Sequence, residues 1–214
     1  MALQLQTAYD SFAEYKKDIS DVTTAMFIDW CDWLNKFIYN HRLGIEPNKF
    51  IISQSYTVTT SPNTQALPVT FRDINKFGCG VYLVDSSGND TDNSLTITGF
   101  GREDQGYYIS DTNIVFTGMT NQTVKLRFIP KITACVALTG YFTLDTLISG
   151  KEIIPSDNLD FAIKALDVYY DQWDEDVGME GIADQRFVRL LDDFSRNVPV
   201  TPTVYALDDP TLNF

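Results

Sequence analysis

Residues 106–130 read GYYISDTNIVFTGMTNQTVKLRFIP, and this stretch decides which class of fold the chain adopts. It is rich in Tyr, Ile, Val, Phe and Thr, the residue types that favour β-strands. Turn-forming residues divide it at Ser110–Asn113 and Gly118–Asn121. The predicted strands are Tyr107–Ser110, Asn113–Thr117 and Val124–Ile129. Charged and apolar residues alternate in the last strand, which gives it one wet and one buried face, as in an antiparallel sheet.

The strand pattern continues towards the N-terminus, where we predict strands at Ile51–Thr60, Gly80–Asp85 and Leu95–Phe100. The acidic segment from Asp85 to Asn93 offers oxygens that could bind calcium. We interpret it instead as a hairpin turn, because Gly and Asn supply the left-handed backbone conformations that turns need. Residues 50–142 are therefore predicted to form a small antiparallel β-domain.

Helical patterns lie on both sides of this region. The predicted helices are Thr7–Lys17, Thr23–Leu43, a helix capped by Ser156 or Asp157 that runs to Trp173, and Glu180–Ser195. The predicted fold class is α+β. Its parts are N-terminal helices at 1–49, the β insertion at 50–142, C-terminal helices at 143–196 and an extended arm at 197–214. We expect the helices of both ends to form one bundle, with the β-domain projecting from it.

The second predicted helix is apolar over much of its circumference, which is typical of a helix that is buried on two faces. In an oligomer the second face would contact a neighbouring subunit. The candidate subunit-interface residues are Phe27, Trp30, Trp33, Phe37 and Tyr39. Aromatic residues make up 13% of the chain, and they are enriched both in interfaces and in cores. Simple filling of the chain's own core therefore stays an equal alternative.

The arm at 197–214 contains Pro199, Pro202 and Pro210, which exclude a helix and favour an extended chain. It nevertheless keeps apolar side chains, for which a solvated tail has little use. The candidate docking residues of this arm are Val200, Val204, Tyr205, Leu207, Leu212 and Phe214. An extended arm of this kind can dock on another subunit. The alternative is a disordered end.

The formal net charge is −13 and the sequence pI is about 4.3. Such a chain cannot neutralise many phosphates, so tight nucleic-acid binding is not expected. Acidic residues are densest on the third predicted helix, where Asp167, Asp171 and Asp174 share one face and Glu175 follows. These carboxylates could line an acidic channel, face water or hold a divalent cation. The pattern lacks the calcium-loop spacing, which disfavours the cation.

The sequence contains few of the residue patterns that are typical of catalytic sites. Its single histidine, His41, lies late in a helix, where it is expected to interact with the helix dipole. The widely spaced Cys31, Cys79 and Cys135 form no C-x-x-C pair, so neither zinc nor a disulfide framework is indicated. Neither a phosphate loop nor a nucleophile elbow occurs. We predict a non-enzymatic protein without a cofactor. Neither a signal peptide nor a membrane span is expected.

The order of certain segments carries a family resemblance. Leu67-Pro68 leads into the first strands, Gly106–Phe116 forms strand, tight turn and strand, and Lys125–Pro130 ends a strand in Pro. A long helix from Ser156 to Trp173 follows. In this order the chain resembles the head–tail connector (adaptor) proteins of tailed bacteriophages. The likeness runs from the second helix to about residue 195, and the β insertion is long for that group.

The resemblance implies a virion protein, assembled in the host cytoplasm, that forms a ring usually of twelve copies. The ring would dock beneath the portal protein, carry tail or nozzle proteins below, and let double-stranded DNA pass through without specific binding. The arm at 197–214 matches the segment that often reaches the portal. Alternative functions are a tail terminator or minor capsid protein, and a β-domain that binds carbohydrate or a receptor through exposed Tyr and Trp. A hydrolase with a carboxylate pair is the weakest alternative.

Overall fold

A computed structural model describes residues 1–75, 78–85, 87–98, 104–144, 151–174 and 185–197. The helices are Leu5–Lys16 (α1), Thr24–Ile45 (α2), Pro47–Phe50 (α3), Leu159–Asp174 (α4) and Gln185–Asn197 (α5). The strands are Ile52–Val58 (β1), Asn63–Ala66 (β2), Phe71–Asp73 (β3), Gly80–Val84 (β4), Asp90–Ser94 (β5), Thr96–Ile97 (β6), Gly106–Ser110 (β7), Asn113–Thr117 (β8) and Gln122–Pro130 (β9). The predicted mixed α+β class is confirmed.

Buried apolar side chains of the described residues form two clusters. The first cluster joins α1 and α2 to α4 and α5, together with Phe142, Leu144, Ile153 and Ile154. The second lies among the strands and includes Tyr56, Phe116 and Phe128. Ile52, at the start of β1, packs against both clusters. The helices of the two chain ends therefore share a core, and the strands between them have another.

The strands form two sheets. One has the order β1-β9-β4-β5, with β3 also paired to β9, and the other has the order β2-β8-β7-β6. The predicted tight turns join β7 to β8 and β8 to β9, and three of their residues, Asp111, Gly118 and Asn121, have positive φ. Gly118 is required there, since an added Cβ would lie 2.4 Å from the backbone nitrogen of Gln105. The turn between β7 and β8, in which Asp111 has a positive φ, sets the register that pairs Ile109 with Ile114.

The prediction of a wholly antiparallel β-domain was wrong at one pair. Strands β6 and β7 run parallel, with Thr96 opposite Gly106 and Ile97 opposite Tyr107. Alternation of apolar and polar residues specifies which face of a strand is buried but not the direction of the neighbouring strand.

The acidic segment from Asp85 to Asn93 was also partly misassigned. The Asp85 N–H donates to the Asn89 carbonyl at 2.9 Å, which closes the turn, and β5 begins at Asp90.

The helix ends follow the prediction in part. Thr23 caps α2, because its side-chain oxygen accepts the Met26 N–H at 3.3 Å. The predicted cap at Ser156 or Asp157 was wrong. Both residues lie inside a 3₁₀ turn, Ser156–Asn158, that follows Pro155 without a side-chain cap. The predicted start of the last helix at Glu180 lies outside the described residues.

Arg42, near the end of α2, connects the two helical parts of the chain. It is only 2% exposed and forms an ion pair with Glu46. Its guanidinium also donates to the carbonyl oxygens of Glu152 and Ile153 at 2.9 and 2.8 Å. Lys151 supports the same junction, because its Nζ donates to the Ile51 carbonyl at 2.8 Å. These bonds hold the segment before α4 against the end of α2.

We expect Arg42→Met to lower the free energy of unfolding by about 3 kcal/mol, because it leaves the partly buried Glu46 without its ion-pair partner and two carbonyls without their donor. Urea unfolding followed by circular dichroism measures the change. The matched control is Lys164→Met, which removes an exposed ion pair with Asp160 and should cost about 0.5 kcal/mol or less. Equal losses in the two variants would contradict the role of Arg42.

Candidate interaction surfaces

The aromatic face of α2 lies largely inside the chain. Phe27 and Trp30 are buried, with ring centroids 5.0 Å from Tyr9 of α1 and 5.7 Å from Tyr169 of α4, respectively. Tyr39 is fully buried and donates its hydroxyl to the Pro130 carbonyl at 2.6 Å. Burial raises the pKa of Tyr39 to about 12. The chain itself occupies the space in which a neighbouring subunit was expected at these three residues.

The two remaining candidates of that face, Trp33 and Phe37, are half-buried. Their rings contact Phe187 of α5, with centroid distances of 5.8 and 5.2 Å. Helix α5 therefore covers the second face of α2. An apolar circumference indicates that a helix is buried on two faces, but not whether its own chain or another one buries it. A subunit contact at the exposed parts of Trp33 and Phe37 stays a prediction.

The acidic residues of α4 are part of a charge network. Lys16 of α1 lies 2.5 Å from Asp167 and 2.9 Å from Asp171, and Arg186 of α5 lies 2.9 Å from Asp171. Asp174 is exposed, and Glu175 lies outside the described residues. The Lys16 ammonium group occupies the position between the carboxylates that a bound cation would need. The network connects three helices rather than forming an open acidic surface.

The pKa of Asp171 results from opposing effects. Burial raises it, while the hydrogen bonds and positive charges of Lys16 and Arg186 lower it, and the outcome is a pKa below the ordinary value. A carboxyl group with a lowered pKa stabilises the fold above its unfolded pKa, and this contribution is lost as the pH falls through the folded pKa.

His41, late in α2, contacts α5, and its expected interaction with the helix dipole stays a prediction. Its Nε2 lies 2.9 Å from Ser195 Oγ. A histidine bonded to a serine is the beginning of a nucleophilic dyad. Neither residue lines any of the three grooves described below. Its residues are separated by 154 positions, which is why sequence patterns gave no signal of it.

The cysteines are free thiols. Burial, followed by the charge of the nearby Cys135, raises the pKa of Cys31 well above its ordinary value. Burial also raises the pKa of Cys135 to about 11, and Asp32 adds to this effect. A nucleophilic cysteine needs a lowered pKa, so these two thiols are not activated. Within the described ranges, no three His, Cys, Asp or Glu residues are grouped to hold a metal ion.

The turn after β4 uses its carboxylate internally. The Asp85 Oδ1 accepts the backbone N–H groups of Ser87 and Asn89 at 2.8 Å each. The Asn89 hydrogen bond is the main cause of the lowered pKa of Asp85. Gly88 has φ +83°, as the turn interpretation requires. These bonds favour a turn over a calcium loop.

Three surface grooves lie among the described residues. Residues 133–144 line the first, of about 320 Å³. The second, of about 410 Å³, lies between β3 and the pair β6–β7. The third, of about 380 Å³, is polar and lies at the ends of β4, β5 and β9. All three tryptophans pack in the helical core or against it, so no exposed Trp lies beside these grooves to stack on a sugar.

The candidate arm residues Val200, Val204, Tyr205, Leu207, Leu212 and Phe214 lie outside the described residues. None of the described helices is long and apolar enough to cross a membrane. Comparison of the chain with protein-family models and with curated proteins gave no match.

We expect Asp171→Asn to lower the free energy of unfolding by about 1 kcal/mol near neutral pH, because the charge network loses its central anion. The difference from the unsubstituted chain should shrink as the pH falls below about 4, the ordinary pKa that Asp171 has in the unfolded state, and it should vanish below the lowered pKa of the folded state. Urea unfolding at a series of pH values measures this. The control Asp174→Asn changes an exposed carboxylate on the same helix and should have little effect. A loss from Asp171→Asn that does not vary with pH would contradict the ion-pair explanation.

Proposed function

We propose that the chain is a subunit of a head–tail connector ring in the virion of a tailed bacteriophage. The observation that carries the proposal is the segment order in space. Helices from both chain ends share one core, and the strands between them have their own. In the proposed architecture 1–49 and 143–196 form a helical bundle, 50–142 is an inserted β-domain, and 197–214 is an extended arm.

The charge of the chain supports a conduit for DNA. At −13 per copy, a ring of such subunits presents few cations to the phosphates of a duplex. Each phosphate contact with Lys or Arg strengthens binding through counterion release, so a basic channel would retain the DNA. An acidic ring lets the genome pass without specific binding.

A structural role also agrees with the chemistry of the described side chains. The His41–Ser195 pair has no described groove beside it, and the thiols of Cys31 and Cys135 have raised pKa values. The acidic residues of α4 are engaged by Lys16 and Arg186. We therefore assign the chain to assembly rather than catalysis. Its partners are further copies of itself, the portal protein above, and tail or nozzle proteins below.

The ring is tested by native mass spectrometry of the purified chain, alone and mixed with its portal protein. We expect a single closed oligomer, because a repeated heterologous contact ends only when it closes on itself. A chain that stays monomeric at all concentrations and also with the portal would refute the proposal.

The arm is tested by deleting residues 198–214. We expect the ring to form normally and portal binding to be lost, because the arm's apolar residues supply the docking contacts. Replacing the six apolar arm residues by Ser should have the same effect at unchanged length. As a control, Asp208→Asn with Asp209→Asn keeps these residues and should retain portal binding. Unchanged portal binding after the deletion would contradict the docking role of the arm.

A further inference from the structure

The segment from Ile132 to Leu144 is a surface without charge. At the chain average of 21% charged residues, thirteen residues would carry about three charges, and this segment carries none. It forms neither helix nor strand, and it exposes Val136 by 82% and Tyr141 by 39%. It lines the apolar groove of about 320 Å³. A charge-free, concave, partly apolar surface has the composition found at the centre of protein interfaces.

The segment is held in place by the helical part of the molecule. The backbone N–H groups of Leu5 and Gln6 donate to the carbonyls of Gly140 and Leu138 at 3.0 and 2.9 Å. The Cys135 N–H donates to Asp32 Oδ1 at 2.8 Å. Each bond links the loop to α1 or α2. Because the loop is fixed in advance, little conformational entropy remains to be lost when a partner docks on it.

Two other uncharged runs, 50–71 and 112–124, differ in what they expose. Their exposed side chains are mainly Ser, Thr, Asn and Gln, as at Ser53, Thr57 and Gln122. Hydroxyl and amide groups must be desolvated and paired again when they are buried. The run 50–71 also exposes Val69 by 95%, but Val69 lines none of the three grooves. The segment 132–144 combines its lack of charge with exposed apolar side chains, Val136 and Tyr141, that line a groove, which makes its burial more favourable.

We propose that this surface, residues 132–144, is where a second copy of the chain docks; the assignment rests on the proposed ring function. Two copies that each carry −13 repel one another. This repulsion is screened beyond about 8–10 Å at physiological salt, so the close contact determines whether they associate. A contact through 132–144 contributes no charge from this side and buries Val136 and Tyr141. The repeated contact is heterologous, so the neighbouring copy contributes a different surface.

The test compares Val136→Asp with Ile97→Asp. Ile97 is also an exposed aliphatic residue, 64% accessible, and it lines a different groove, so both variants add one negative charge at an exposed site. Native mass spectrometry over a concentration series gives the concentration at which half of the chain is assembled. We expect Val136→Asp to raise it by at least about tenfold, because a carboxylate is then buried without a partner. Ile97→Asp should leave it within about twofold of the unsubstituted chain.

A second measurement does not depend on the loss of assembly. A photoreactive benzophenone amino acid at position 136 should give cross-links between subunits, and the same group at position 97 should give none. Assembly of Val136→Asp equal to that of the unsubstituted chain overturns the inference, as does equal loss in both Asp variants. Cross-links from 136 only to a different protein assign the surface to that protein instead. If the unsubstituted chain never assembles, the proposed function itself fails, and this inference fails with it.

Discussion

The buried guanidinium of Arg42 is the contact on which the arrangement of the chain depends. It lies near the end of α2, and it bonds to the carbonyls of Glu152 and Ile153, in the segment before α4. Arg42 and Glu152 are 110 positions apart along the chain, and all nine described strands lie between them. Because Arg42 and Lys151 hold these points together, the segment before α4 lies against the end of α2 and the start of β1. The shared core of α1, α2, α4 and α5 follows from that junction.

Strong local patterns made several elements predictable. The strands at Asn113–Thr117 and from Val124 were found because β-branched and aromatic residues stand between Gly- and Asn-containing turns. The edge strand Asn63–Ala66 and the strand Asp90–Ser94 were missed, because NTQA and DTDNS lack large apolar residues and only their pairing partners define them as strands. The 3₁₀ turn at Ser156 was also missed, since a residue type that caps helices does not by itself fix where the α-helix begins.

The candidate surfaces were harder to predict, for a physical reason. Sequence periodicity shows that Phe27, Trp30 and Tyr39 are buried, yet only the packing of Tyr9, Tyr169 and Phe50 shows that the same chain buries them. The carboxylates Asp167 and Asp171 were correctly placed on one helix face. Their partner Lys16 lies about 150 residues away in sequence, beyond the reach of local pattern. The lack of charge at 132–144 can be read from the sequence. The exposure of this loop and its hydrogen bonds to α1 can be seen only in the structure.

In the proposed ring, each subunit combines a core formed by α1, α2, α4 and α5, a net charge of −13, and an uncharged, partly apolar loop attached to α1 and α2. Closed rings arise when such a subunit repeats one contact at a constant angle. Electron microscopy of the purified oligomer tests this account most directly. It predicts class averages with a closed ring of one symmetry around an open channel wide enough for duplex DNA. Open filaments, compact dimers or a ring without a channel would contradict it.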